Sequence, residues 1–165
     1  MKPRALLLAL SLGAGLTFFS ASELPRVKIQ GSRITQYDRQ GNPVFWIRTS
    51  TVERNEDTVQ FGSPKGQIFA EGGAIEIEAQ EGSFQEPSQT VAFKGAVRGD
   101  QKDLGIQFSA ESIVFFLETR EVVSDRAIQI FYGPFSINGK GFSMSLKERR
   151  LVVRDEVSGG LAEAN

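Results

Sequence analysis

A strand pattern that recurs four times, about 30 residues apart, constrains this chain more than any other feature. The stretches Phe45-Trp46-Ile47-Arg48-Thr49, Ile75-Glu76-Ile77-Glu78-Ala79, Ile106-Gln107-Phe108-Ser109-Ala110 and Phe135-Ser136-Ile137-Asn138-Gly139 superimpose. In each, two large apolar residues and then a small one occupy alternate positions. Such alternation marks a half-buried strand, because successive side chains point to opposite faces. A second apolar element comes after each copy, at residues 58–61, 90–93, 121–123 and 150–153. The step from Ala79 to Val91, from Ala110 to Val122 and from Gly139 to Leu151 is the same; only the first copy is shorter. A repeat of this length made of strands alone predicts an all-β stack in which each unit completes its neighbour's core.

At 165 residues the chain holds one domain and can bury a real core. Its 19 basic and 20 acidic residues give no electrostatic footprint for nucleic acid. With no cysteine and no histidine, it lacks disulfides, thiolate metal sites and the commonest general base. Thirteen phenylalanines stand against two tyrosines and one tryptophan. That many purely apolar rings suit a packed core, or an interior that receives something apolar.

The N-terminus has the form of a membrane-targeting segment. Lys2 and Arg4 precede an uncharged run of 18 residues, 5–22, rich in leucine. A basic flank before an apolar run leaves the basic end in the cytoplasm and sends the rest of the chain across the membrane. The run falls between the length of a signal peptide and the roughly 20 residues that span a bilayer. Residues 1–22 therefore read as a transmembrane anchor or a signal segment, with Ser20-Ala21-Ser22 as a cleavage site in the second case. Residues 23–157 form the β domain, and the Gly- and Ala-rich tail 158–165 is expected to fray.

Along the domain, the first strand is predicted over Val27–Tyr37, interrupted at Gly31. Asp38-Arg39-Gln40-Gly41-Asn42-Pro43 is turn chemistry throughout, and residues 44–51 return antiparallel. Further turns are expected at Asn55-Glu56-Asp57, Ser63-Pro64-Lys65-Gly66, Gly72-Gly73, Glu86-Pro87-Ser88, Gly99-Asp100, Gly133-Pro134 and Asn138-Gly139. The alternation assigns inward sets Phe45/Ile47/Thr49, Ile75/Ile77/Ala79, Ile106/Phe108/Ala110 and Phe135/Ile137/Gly139. The next strands add Phe84, Ile113/Phe115/Leu117 and Phe142/Met144/Leu146, while Trp46 and Phe116 point outward. Thr49, Ala79, Ala110 and Gly139 then leave a lengthwise strip of small side chains inside. A one-residue slip would expose every inward set, which makes the register firm.

Nothing here resembles a catalytic centre. Glu76 with Glu78, and Glu53, Glu56 and Asp57, lie on an outward face or in a turn and read as solvated surface. The stretch 133–140 has neither the spacing of a phosphate loop nor a helix after it. No Gly-x-Ser-x-Gly occurs, and serine has no histidine to activate it. The residues point away from an enzyme, a cofactor or a metal. What remains is a phenylalanine-rich interior between two open sheet edges, near 27–37 and 151–157, and open edges invite another strand.

An N-terminal anchor, Leu24-Pro25, then Ile34-Thr35-Gln36-Tyr37-Asp38-Arg39-Gln40-Gly41-Asn42-Pro43-Val44 and β repeats resemble the lipopolysaccharide-export protein family LptC. The Gln-Tyr-Asp-x-x-Gly phrase carries the specificity; the repeats alone would equally fit LptA, the soluble periplasmic relative. The resemblance implies an open, twisted β-jellyroll of two antiparallel sheets, anchored by one helix in the inner membrane with the β domain in the periplasm. It gives Tyr37, Asp38 and Gly41 a structural role in the family's turn. It also implies that lipopolysaccharide is relayed through an apolar groove, for which Ile47, Ile77, Phe84, Phe108, Phe115, Ile137 and Met144 are the candidate acyl contacts. The implied partners are the inner-membrane lipopolysaccharide ABC transporter, at the anchor and the N-terminal edge, and a periplasmic LptA-like jellyroll at the C-terminal edge near Leu151, Val153 and Val157. Two other readings stay open: a soluble LptA-like bridge protein, and an adaptor with a filled core that binds only proteins.

Overall fold

The computed structural model describes residues 27–161 apart from Arg39, Glu71 and Gly72. The expected anchor at 1–22 and the end of the tail at 162–165 lie outside the described residues. Among the described residues no helix is long and apolar enough to cross a membrane. The chain forms strands β1 (Val27–Tyr37), β2 (Pro43–Asn55), β3 (Thr58–Gly62), β4 (Lys65–Ala70), β5 (Gly73–Glu78) and β6 (Glu81–Gln85). A set of longer strands completes it: β7 (Thr90–Gln101), β8 (Ile106–Phe116), β9 (Glu121–Tyr132), β10 (Phe135–Ser145) and β11 (Arg150–Leu161). A single turn of 3-10 helix, Lys102–Leu104, separates β7 from β8. All pairings are antiparallel, and the copies of the repeat fall in β2, β5, β8 and β10, which all run the same way. The apolar elements after each copy lie in the strands β3, β7, β9 and β11.

One sheet is folded over on itself. The first part of β2 pairs with β4 through residues 45–48, and the rest pairs with β3 through 51–55. Likewise β7 pairs with β6 through 90–94 and with β5 through 98–101. Each long strand therefore belongs to two leaves that meet along a corner. The ladders of β7, β8 and β10 slip at that corner, between Lys94 and Val97, Ala110 and Val114, and Lys140 and Phe142. Such bulges sharpen the local bend. Gly95 (φ +74°) and Gly141 (φ +72°) take left-handed backbone there, where a side chain would add strain.

Thr49, Ala79, Ala110 and Gly139, the expected strip of small residues, sit where their strands turn from one leaf to the other, and Ala110 and Gly139 line an open trough of about 500 Å³ there. The strand pairings revise other expectations. Asn138-Gly139 and Gly99-Asp100 are not turns between strands but lie inside β10 and β7, and Lys65-Gly66, expected in a turn, opens β4. Nor does the chain fray from Ser158: residues 158–161 pair with 135–138 and extend β11.

The inward sets otherwise meet in one core. Phe45, Ile47, Ile75, Ile113, Phe115, Phe142 and Met144 are at most 1% exposed. Across the space between the leaves, Phe45 meets Phe84 edge-on at 5.6 Å between ring centres, and Phe108 meets Phe142 at 5.9 Å. Phe135 is the exception, being 53% exposed. Its side of the strand faces inward, but it lies at the end of the stack, where the opposite leaf no longer covers it. Trp46 and Phe116 face outward; Trp46 carries the guanidinium of Arg33 4.7 Å from its ring centre and donates from Nε1 to Gln67.

Candidate functional site

The seven candidate contacts lie in two cross-strand rows that face each other. On the first leaf the register runs Ile47, Gly66, Ile77, Gly99, Phe108, Ile130, Ile137. On the second it runs Phe84, Val91, Phe115, Val122, Met144, Leu151. Six of the seven are buried, and Ile137 is half-buried against the same core. The rows form one apolar seam along the stack, closed by contact between its two sides. Glycine has a specific part in it: a Cβ on Gly99 would fall onto the ring of Phe108, and one on Gly66 onto the backbone of Trp46. The missing side chain at Gly99 lets the Phe108 ring lie over the backbone, and at Gly66 it lets the backbone of β2 approach closely.

The seam changes character at two places. At the free ends of the leaves, opposite the corner, Arg120 Nη1 donates to the Phe69 carbonyl at 2.7 Å, tying the β8–β9 turn to β4. At the C-terminal end the inner face of the first leaf emerges into water. Phe135 pairs in register with Tyr132 on one side and Leu161 on the other, and these three, with Val157, are all more than half exposed. Beside them β11 has β10 on one side and, among the described residues, no strand on the other. An apolar face next to an unpaired edge is a template for another strand and for the sheet behind it.

These features coincide with a family assignment. The family described as "Lipopolysaccharide-assembly, LptC-related" matches residues 20–162. The chain belongs to the LptC-related family. No curated protein matches it. Among solved structures it is similar to the crystal structure of LptH, described as the LptA homologous periplasmic component of the conserved lipopolysaccharide transport device from Pseudomonas aeruginosa. That similarity has a TM-score of 0.36 at 9% sequence identity, over 83% of this chain and 94% of that one.

In this LptC-related chain the turn phrase is held together from within. Asp38 Oδ1 accepts from the amides of Gln40 and Asn42, both at 2.9 Å, and Gly41 has φ +86°. The Asn42 amide is the main cause that holds the Asp38 carboxyl below its ordinary value of 3.8, with weaker help from the Gln40 amide and the Arg120 charge. A depressed carboxylate pKa contributes stability above the unfolded value, and that contribution is lost as pH falls through the lower folded value. Asp38→Asn is therefore expected to lower the melting temperature at pH 7. It should also flatten the fall in melting temperature below about pH 4, read by circular dichroism across a pH series.

Outside the sandwich, an open trough of about 610 Å³ runs over the outer face of the first leaf. Its row Trp46, Gln67, Glu76, Asp100, Gln107, Phe131 crosses six strands in register. Its polar groups already satisfy one another: Gln67 donates to Glu76 at 3.4 Å, and Lys102 donates to Glu76 at 2.8 Å and holds its pKa down. Lys65 stands 3.5 Å from Glu78. A glutamate ionised and paired on an exposed face has no use as a proton donor at neutral pH. Sequence reasoning missed Arg120 entirely; one arginine in a charged turn carries no signal of the carbonyl it will meet across the fold.

Proposed function

We propose that this protein carries lipopolysaccharide from the inner membrane toward the outer membrane, holding acyl chains between its two leaves and passing them on at its C-terminal end. One observation carries the reading: two unbroken apolar rows line the whole stack, and the apolar face they belong to surfaces beside the unpaired edge of β11. Each buried CH₂ is worth about 0.8 kcal/mol, so a chain of about a dozen carbons is held by close to 10 kcal/mol. Release is then the harder step. A neighbour that offers the same seam makes each transfer nearly isoenergetic, and the directional push comes from nucleotide hydrolysis in a transporter. The segment 1–22 anchors the domain beside that inner-membrane transporter, at the β1 end. A periplasmic jellyroll of the LptA type adds its strand to β11, so that Leu151, Val153 and Val157 lie at the junction. The single-pass, periplasm-facing arrangement rests on the basic flank of the anchor.

The adaptor reading has its own support, since the seam is filled by side chains in contact across it. Site-specific photo-crosslinking decides between them. With a photoreactive residue in place of Ile137, which lies half-buried at the end of the seam, lipopolysaccharide should be captured in cells, whereas the outward position Phe116 should capture none. Equal capture at both positions, or none at Ile137 with the transporter active, would leave the protein as an adaptor.

A further inference from the structure

The filled seam poses a question of entry that rests on the proposed function: acyl chains can lie between the leaves only if the leaves part. Along the corner they cannot, because every long strand runs through it. They can part only at the opposite side, where the turns of the two leaves meet. There, among the described residues, a hydrogen bond crosses the mouth from Arg120 Nη1 to the Phe69 carbonyl at 2.7 Å. The rest of Arg120 is firmly placed. Its backbone is left-handed (φ +59°), its amide donates to the Phe116 carbonyl at 2.9 Å, and its carbonyl accepts from Leu146 at 3.1 Å. Those bonds fix the turn to its own leaf, so the side chain alone spans to the other.

Arg120 is also half-buried, within reach of solvent, and near the carboxylate of Asp38. Its acceptor on β4 is a neutral carbonyl. A phosphate or other anionic oxygen cluster is a better acceptor for a guanidinium, because it takes two parallel charge-assisted bonds. We propose that Arg120 latches the mouth of the sandwich and that an amphiphile's anionic head group releases it, taking the guanidinium from Phe69 as the tail enters the seam. The site thus selects a class of ligand: one with an apolar tail and a phosphate-like head.

Two probes with the same twelve-carbon tail, each bearing a diazirine, test this on the full chain in its membrane: a dodecyl phosphate and a neutral dodecyl maltoside. The label is mapped by mass spectrometry to peptides covering β8 and β10. The wild type should take up the phosphate about tenfold faster than the maltoside, the worth of one charge-assisted hydrogen bond. Arg120→Gly keeps the left-handed backbone without strain. It should admit both probes at the faster rate and lose the preference. Unchanged maltoside entry in a folded Arg120→Gly protein would overturn the latch; faster entry with the phosphate preference intact would overturn the role of the anion. Hydrogen exchange separates failure of the latch from failure of the lipid reading, since it needs no lipid. Exchange at the amides of β4 and the β8–β9 turn should rise in Arg120→Gly even if neither probe labels the seam, and unchanged exchange would count against the latch itself.

Discussion

Phe108→Ala should lower the unfolding free energy by about 3–5 kcal/mol, the usual range for removing a buried aromatic ring. The ring is 3% exposed, packs on Phe142 across the leaves and lies over Gly99 on the neighbouring strand. Gly99→Ala should also destabilise the protein strongly, because the new methyl occupies the space of that ring and the surrounding core is closed. The two effects have one cause and will not add. In the Phe108→Ala background the alanine at 99 has room, so the double mutant should be more stable than the sum of the single mutants allows, by about 0.5–3 kcal/mol. Urea unfolding of the four proteins gives the coupling directly. Simple additivity would mean that the ring is held by Phe142 rather than by the glycine beneath it.

Phe135→Asp should have the opposite profile, with little change in stability and a large loss of assembly. The residue is 53% exposed, so folding gains little from its ring. A partner that continues the first leaf past β11 would cover Tyr132, Phe135 and Leu161 together and leave a carboxylate buried against apolar surface. An interface anchor of this kind is worth about 2 kcal/mol or more, so affinity for a downstream jellyroll should fall about thirtyfold or further. Titration against an LptA-type protein, with the melting temperature measured alongside, checks both halves. Undiminished binding would move the docking surface away from the C-terminal end.

The strands and their sidedness were legible in the residues because alternation is a local property. Ile75, Ile77 and Ala79 point one way and Glu76 and Glu78 the other, whatever the rest of the chain does. The Asp38 turn was legible for the same reason, as its bonds close within a few residues. Where the expectations went astray, the deciding partner was remote in sequence. Ala79 and Ala110 were legible as part of a strip of small residues, but that the strip follows a corner shows only in the pairing of β2 with both β3 and β4. Phe135 was assigned inward correctly but buried wrongly, since burial depends on how far the opposite leaf extends. Arg120 meets a carbonyl 51 residues away in sequence. Whether the seam is filled or hollow could not be read either, because the same phenylalanines would form a core or a lining.

The corner also sets how the molecule scales. From β7 to β11 every strand runs through both leaves and pairs along its length with the next. Adding one repeat of this kind lengthens the stack by two strand spacings, about 9.5 Å. Reach across an aqueous gap is then a matter of counting repeats, in one chain or in several joined edge to edge, and the seam they enclose has no natural length of its own.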